Sequence, residues 1–342
     1  MLKIAKENLN ALYAAISAKM PLILPIKRAG QVNYGPWSES EEVSLETLKT
    51  VKSPKDAFFP QSENMMKFKT DGKVLEVIDV RKAEQPFVLF GVKACDYRAI
   101  EVLDKVFLAD PVDTYYKAKR EAGVVVTLAC SKPEESCFCS VFGVDPTAPA
   151  GDVTTWLDGE FLYWQANTEK GEALTAELSA LFAEGGEDAV SAQQSATRSI
   201  MQALPYAALD LSRFKPENLN DLFNDGAWTE LSEACLGCGT CTFVCPTCQC
   251  FDIRDFKTSE GVLRYRCWDS CMYSDFTLMA HGNSRNTQMQ RFRQRFMHKL
   301  VYFPSQNDGM YSCVGCGRCV NKCPQNLNIV KVIKTLGGKK ND

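Results

Sequence analysis

Two cysteine blocks in the last third of the chain repeat one pattern. Both read C-x-x-C-G-x-C-x-x-x-C-P, and they lie at residues 235–246 and 313–324. Four cysteine thiolates can bind a [4Fe–4S] cluster, and the C-x-x-C-x-x-C part of the pattern supplies three of them from one short loop. The fourth cysteine, which precedes proline, ligates the other cluster in proteins that hold two. The repeat therefore predicts two [4Fe–4S] clusters whose ligands are exchanged between the blocks.

The repeat divides eight cysteines between two ligand sets. The first-block set consists of Cys235, Cys238, Cys241 and Cys323. The second-block set consists of Cys313, Cys316, Cys319 and Cys245. Zinc sites also use paired C-x-x-C motifs, but they take two pairs per metal, whereas each block here has four cysteines ending in Cys-Pro. The pattern therefore favours iron–sulfur ligation over zinc.

Four dispersed cysteines precede these blocks, and we call them the N-terminal set: Cys95, Cys130, Cys137 and Cys139. Cys95 follows a predicted strand at 87–92, and Cys130 ends another at 123–129. Cys137 and Cys139 form a C-x-C pair in a predicted loop. Ligands at the ends of neighbouring strands, together with a loop pair, would converge on one point. Buried cysteine without a metal is also common, so spacing alone leaves open both a third cluster and ordinary core cysteines.

Four cysteines remain outside these sets: Cys248, Cys250, Cys267 and Cys271. They are interpreted either as thiols that pack near the clusters and tune them, or as ligands of a fourth cluster or another iron centre. A redox-active dithiol is the third interpretation, because Cys245 and Cys248 form a C-x-x-C pair. The sequence leaves these three interpretations open.

The length and composition of the chain indicate a compartment in which its cysteines stay reduced. The chain has 342 residues, 16 Cys and a formal net charge of −3. It is too long to need a disulfide framework in place of a core, and its start does not read as a secretory signal. The apolar run PLILPI is far below the roughly 20 residues of a membrane helix. We therefore expect a soluble cytoplasmic protein that binds neither membranes nor, given its balanced charge, nucleic acid.

The elements that must position the N-terminal set alternate between strand and helix patterns. β-Branched runs predict strands at 73–80, 87–92 and 123–129. Helical spacing predicts helices at 95–107, 113–121 and 172–184. The first residues of the chain predict an amphipathic helix with four apolar residues on one side: Ile4, Leu9, Leu12 and Ile16.

A polar, turn-rich connection at 205–230 predicts a domain boundary. We expect an N-terminal α/β domain with one cluster at 1–225 and a helical ferredoxin-like domain with two clusters at 226–342. The predicted fold class is α+β, with the α/β-type domain followed by a mainly helical two-cluster domain. Helical patterns at 287–303 and 326–336, and an expected helical segment at 247–312, support that description.

A basic stretch between the two blocks contains Arg285, Arg291, Arg293, Arg295, His298 and Lys299. We interpret it as a basic helix beside anionic clusters, because nearby arginine stabilises a reduced cluster and raises its potential. Neither a dinucleotide-binding nor a P-loop glycine motif is present in the sequence, and no Ser-His-Asp or paired-carboxylate arrangement can be argued. The sequence thus predicts redox centres without a catalytic site of its own, so whether the chain is itself an enzyme stays undecided.

Several motifs together resemble one protein family. It comprises the A subunit of anaerobic sulfite reductases and the β subunit of cytosolic NAD(P)-linked [NiFe] hydrogenases, the sulfhydrogenases. The resemblance covers essentially the whole chain and includes FFPQSE at 58–63. The motifs that carry it are GVKACDYRAIEVLD at 91–104, CFC at 137–139, CPTCQC at 245–250, RCWDSCM at 266–272 and CVGCGRC at 313–319.

The resemblance implies a third [4Fe–4S] cluster at the N-terminal set, and hence three in all. It implies a partner subunit with flavin and a [2Fe–2S] centre that exchanges hydride with NAD(P)H. A second partner would be a catalytic hydrogenase or reductase subunit. Cys248, Cys250 and Cys271 belong to the family's motifs, but Cys267 departs from them. The predicted function is electron relay between these partners; the alternatives are a stand-alone polyferredoxin carrier and a thiol/disulfide reductase subunit resembling heterodisulfide reductase.

Overall fold

The computed structural model describes residues 1–338, so the last four residues of the predicted second domain lie outside it. The described chain forms fifteen strands. They are β1 Leu2–Ala5, β2 Leu22–Arg28, β3 Gln31–Pro36, β4 Glu42–Val43, β5 Ser62–Asp71, β6 Val74–Asp79, β7 Phe87–Val92, β8 Gly123–Leu128, β9 Val153–Leu157, β10 Phe161–Ala166, β11 Ala183–Glu184, β12 Phe251–Thr258, β13 Gly261–Trp268, β14 Leu278–Met279 and β15 Gly282–Asn283.

Twelve α-helices accompany these strands in the same residues. They are α1 Leu9–Ser17, α2 Ala94–Phe107, α3 Thr114–Ala122, α4 Glu169–Glu177, α5 Glu187–Ala203, α6 Leu219–Asn224, α7 Ala227–Ser232, α8 Thr240–Phe243, α9 Gln288–Met297, α10 Phe303–Gln306, α11 Arg318–Lys322 and α12 Ile329–Gly337. A π-helical turn at His298–Tyr302 joins α9 to α10. Throughout residues 1–338, every helix is too short or too polar to cross a bilayer.

A nine-stranded mixed sheet organises the N-terminal part. Its order is β11-β1-β10-β9-β8-β7-β2-β3, with β4 also paired to β2. The central strands β2, β7, β8 and β9 run parallel. Every residue of β7 and β8 is buried, as expected for parallel strands covered on both faces. One face packs on a core that includes α1 and α4, and the other packs on a core that includes α2 and α3.

Most of the predicted elements are confirmed. The three predicted strands correspond to β6, β7 and β8, and the first two predicted helices correspond to α2 and α3. The helix predicted at 172–184 ends at Glu177, and the chain then forms a 3₁₀ turn and the short strand β11.

The prediction of one helix at the start of the chain is wrong for Ile4. Leu9, Leu12 and Ile16 do lie buried on α1. Ile4 lies in β1, opposite Leu162 of β10. Ile4 is buried, as the helical pattern predicts, but its backbone pairs with the neighbouring strand and is therefore extended.

The segment between the cysteine blocks is only partly helical. Residues 251–268 form the hairpin β12–β13, so a mainly helical C-terminal domain is not confirmed; α9 begins only at Gln288. Strand β13 pairs with β5 from the N-terminal part, which gives a four-stranded sheet in the order β12-β13-β5-β6. This sheet joins chain segments on both sides of residue 225, and the boundary there stays a prediction.

Arg266 on β13 links this sheet to the N-terminal part through ion pairs. Its side chain is 2% exposed and forms ion pairs with Glu63 on β5 and with Asp113, which caps α3. The guanidinium also lies 5.2 Å from the ring centroid of Phe59. By contrast, Arg264 on the same strand forms an exposed ion pair with Asp255.

We predict that Arg266→Ala lowers the free energy of unfolding by about 3 kcal/mol, because it removes a buried guanidinium that Glu63 and Asp113 share, although Glu63 keeps its ion pair with Lys119. Arg264→Ala is the matched control and should leave the urea midpoint nearly unchanged, because exposed ion pairs contribute little. Anaerobic urea unfolding followed by tryptophan fluorescence measures both. Equal midpoints for the two variants would contradict the role assigned to Arg266.

Candidate metal centres

The N-terminal set lies at the carboxyl ends of two adjacent strands, as its spacing predicts. Strands β7 and β8 pair in parallel. Cys95 lies in the first turn of α2, and Cys130 follows β8. The Cys139 thiol interacts electrostatically with those of Cys130 and Cys137, and burial raises its pKa. Cys95 packs against the buried cluster that contains Cys137 and Cys139, so the structure brings these four thiols near one another.

The first-block set lines a single cavity. All four of its cysteines contribute, although Cys323 is distant in sequence from the other three. The other lining residues of the cavity include Arg295. Cys238 is exposed, and a hydrogen bond with Thr240 lowers the pKa of its thiol. The structure therefore brings this set together at the protein surface.

The second-block set is also brought together. The Cys313 thiol interacts with those of Cys319 and Cys245, and burial raises its pKa. Cys316 interacts with the same two thiols, and burial raises its pKa as well. Cys241 of the first-block set interacts with Cys319 and Cys245. The two sets are thus neighbours, and the thiol that each takes from the other block lies with it.

Thiol interactions and the shared cavity define these three groupings. Within residues 1–338, no three His, Cys, Asp or Glu side chains meet at the distances that a single metal ion requires.

Three buried cations surround the C-terminal thiols: Lys55, Arg295 and Lys299. Lys299 Nζ donates to Thr247 Oγ1 at 2.7 Å and to the Ser312 carbonyl at 3.2 Å. Lys55 Nζ donates to the carbonyls of Cys245 and Cys248 at 3.1 and 2.7 Å.

Arg295 has fewer partners than the two lysines. Its Nη2 donates to the Cys241 carbonyl at a long 3.5 Å, and its Nε is buried without a hydrogen-bond partner. In the described part of the chain, none of these three cations has a carboxylate within 4.0 Å.

Thiols supply the charge that these cations lack. Burial opposes the charge of Lys299, but Cys245, Cys248 and Cys313 outweigh burial and raise its pKa. Cys241 and Cys319 raise the pKa of Arg295 in the same way against its burial. Burial lowers the pKa of Lys55 despite the opposing effect of Cys248 and Cys245.

Buried charges are costly unless they are paired. Two neighbouring sets of four thiols, walled by cations without carboxylate partners, fit anionic iron–sulfur clusters held by thiolates.

Three of the four remaining cysteines, Cys248, Cys250 and Cys271, lie near these buried cations. A hydrogen bond from Cys248 lowers the pKa of Cys245, and one from Cys271 lowers the pKa of Cys250. The thiols of Cys248 and Cys250 also interact with each other. Cys267 lies apart on β13, where burial raises its pKa and Arg254 and Asp252 are its charged neighbours. The structure thus separates Cys267 from the other three, as the family motifs do.

The basic stretch is less uniform than the sequence suggests. Arg295 and Lys299 face thiols, whereas Arg293 lies 3.6 Å from the ring centroid of Phe223. Arg291 donates to the carbonyls of Met272 and Arg285.

Two features of the site were missed by the sequence interpretation. Lys55 lies far from the cysteine blocks in sequence, and its only signal is its closeness to the FFPQSE motif. The second is the ion pair that Asp96 forms with Arg318. Arg318 lies within the second block, and this position is the one signal that could have drawn attention to it.

Comparisons with known proteins agree with the cysteine geometry. The model of the 4Fe-4S dicluster domain matches residues 234–327. Sulfhydrogenase 2 subunit beta of Pyrococcus furiosus is 31% identical over 315 residues, which cover 90% of each chain. No solved structure matches the chain.

We predict that Lys299→Met lowers the reduction potential of a C-terminal cluster by roughly 50–100 mV, because it removes a buried positive charge beside the thiolates. Lys299→Arg keeps the charge and should shift the potential less. Lys257→Met, which alters an exposed lysine on β12, is the control. EPR-monitored redox titration measures the potentials, with iron content checked in each variant. Unchanged potentials at full iron content would refute the role of Lys299.

Proposed function

This chain belongs to the sulfhydrogenase beta-subunit family, and we propose that it acts as the iron–sulfur electron-transfer subunit of a hydrogenase-type complex. The observation that carries the proposal is the pair of neighbouring four-thiol sets walled by buried cations. A bound [4Fe–4S] cluster supplies one-electron transfer. The protein holds it with thiolates, surrounds it with fixed positive charge and limits the access of water.

We assign three clusters to the twelve cysteines of the three sets. Mutual thiol interactions within each set support this number, as does the family resemblance for the N-terminal set. Cys248, Cys250 and Cys271 then act as neighbours that adjust the charge near Cys245.

The proposed partners are a flavin- and [2Fe–2S]-containing subunit that reacts with NAD(P)H and a catalytic subunit. The relative's printed name favours a hydrogenase as the catalytic partner; a sulfite reductase is the family's other possibility. Exposed Cys238 supports docking of a partner close to the first-block set, and exposed Leu236 lies beside it. We place the complex in the cytoplasm, with its two domains at 1–225 and 226–342.

We predict about twelve iron atoms and twelve sulfides per chain after anaerobic purification, from three clusters of four irons. Cys137→Ser should lose about four of the irons. It should leave the C-terminal clusters largely intact, because the N-terminal set follows strands β7 and β8 and shares no cysteine with the other two sets. Iron and sulfide assays with EPR of the reduced protein measure this. Stoichiometric zinc would refute the proposal, about sixteen irons would favour a fourth cluster, and full iron in Cys137→Ser would remove the N-terminal assignment.

We further predict that the isolated chain accepts electrons from dithionite but does not oxidise NAD(P)H. In the assembled complex, Cys316→Ser should impair electron delivery from NAD(P)H to the terminal acceptor and spare NAD(P)H oxidation with an artificial dye. Two parallel assays on the intact complex measure these activities. The relay role would be wrong if both activities fell together or if the isolated chain oxidised NAD(P)H.

A further inference from the structure

A buried ion pair joins the N-terminal set to the second block. Arg318 Nη1 and Nη2 donate to Asp96 Oδ1 and Oδ2 at 2.6 and 2.8 Å. The two side chains are 4% and 1% exposed. Asp96 directly follows Cys95, and Arg318 directly precedes Cys319. The pair therefore connects a ligand of one set to a ligand of another.

The ion pair is held from a third segment. Arg318 Nε donates to the Thr50 carbonyl at 3.1 Å, and Nη2 donates to Thr50 Oγ1 at 3.3 Å. Four donor contacts to fixed acceptors leave the guanidinium little freedom, because its planar fork matches the carboxylate in two places at once.

Backbone contacts bring another part of the N-terminal set, the C-x-C loop, against the second block. The Phe138 amide donates to the Gly315 carbonyl at 3.0 Å. Gly315 and Gly317 have φ angles of +60° and +74°. A Cβ at Gly315 would collide with the Phe138 carbonyl, and one at Gly317 would collide with the Ser136 carbonyl. The C-x-C loop therefore rests directly on the second-block loop.

Side-chain packing agrees with these backbone contacts, because Cys95 packs against the small buried cluster that contains Cys316 and Val314. Cys316 interacts electrostatically with Cys95 and Cys139. The residues lining the cavity of the first-block set all come from positions 235–327. The second-block set therefore lies beside both other sets, with Cys316 on one side and Cys319 and Cys245 on the other.

We infer that the second-block set is the middle of the three ligand sets, and that Asp96 and Arg318 are positioning residues that fix its distance from the N-terminal set. This inference rests on the proposed function, because it concerns clusters held by those sets. It makes the N-terminal and first-block sets the two ends, of which the first-block set reaches the surface at Cys238.

Magnetic interaction between reduced clusters tests the order, because it weakens steeply with distance. The full-length holoprotein is reduced with dithionite and studied by EPR. Cys137→Ser should remove the interaction that the second-block cluster has with the N-terminal one and keep its interaction with the first-block cluster. Cys238→Ser should remove the interaction with the first-block cluster and keep the interaction with the N-terminal cluster. If Cys137→Ser loses iron but every interaction persists, the order is wrong. If it keeps full iron, the N-terminal site fails and this inference fails with it.

Asp96→Asn and Arg318→Lys test the positioning role. Both should retain full iron and weaken the magnetic interaction between the N-terminal and second-block clusters. Asp255→Asn, which breaks an exposed ion pair, is the matched control and should change nothing. A lower unfolding midpoint with an unchanged magnetic interaction in both variants would make the pair merely structural and overturn the role. If Asp96→Asn does not fold, Arg318→Lys decides alone, because it keeps the charge and loses the two-point geometry.

Discussion

Lys55, Arg295 and Lys299 are buried beside cysteine thiols and, in the described chain, have no carboxylate within 4.0 Å. Burial of an unpaired cation is costly, so this part of the protein depends on negative charge at the thiols. That dependence links folding to cofactor binding, because the ligands must be thiolates for a cluster to form. Helix α9 and its π-helical continuation carry two of the three cations, and the turn before FFPQSE carries the third. Elements from the N-terminal and C-terminal parts of the chain therefore meet around the same group of thiols.

The placement of Lys55 beside the thiols depends on contacts between the N-terminal and C-terminal parts of the chain. Hairpin β12–β13 extends from the segment between the blocks and pairs with β5. Trp268, at its end, covers the Lys55 ammonium at 3.9 Å from its ring centroid and donates to the Phe59 carbonyl at 3.1 Å. The hairpin thus holds the turn that delivers Lys55 to Cys245 and Cys248. A ferredoxin-like domain folded separately would lack this cation.

Local patterns made much of this predictable. Strands β7 and β8 were evident because they are uninterrupted apolar runs, and the two-cluster domain because each block repeats its spacing. Hairpin β12–β13 was missed because charged residues such as Asp252 and Arg254 interrupt its apolar pattern, and because its partner strand is far away in sequence. Ile4 was assigned wrongly because burial on one face of a strand and on one face of a helix can follow the same spacing. Lys55 and the partner of Asp96 could not be predicted, since long-range packing alone brings them to the thiols.

The protein uses buried charge in two ways near its cysteines. The cations by the C-terminal sets have no carboxylate partner in the described residues, so their charge acts on the thiolates. Arg318 is neutralised by Asp96, and the pair adds little net charge to its surroundings. A buried ion pair is weak support for stability, because desolvation offsets most of the attraction. Its two-point geometry, however, resists both rotation and sliding of the loops that it joins. The pair occurs where the first turn of α2 meets the second-block loop, and in the arrangement we infer the spacing between ligand sets there matters more than stability, since electron transfer depends on distance.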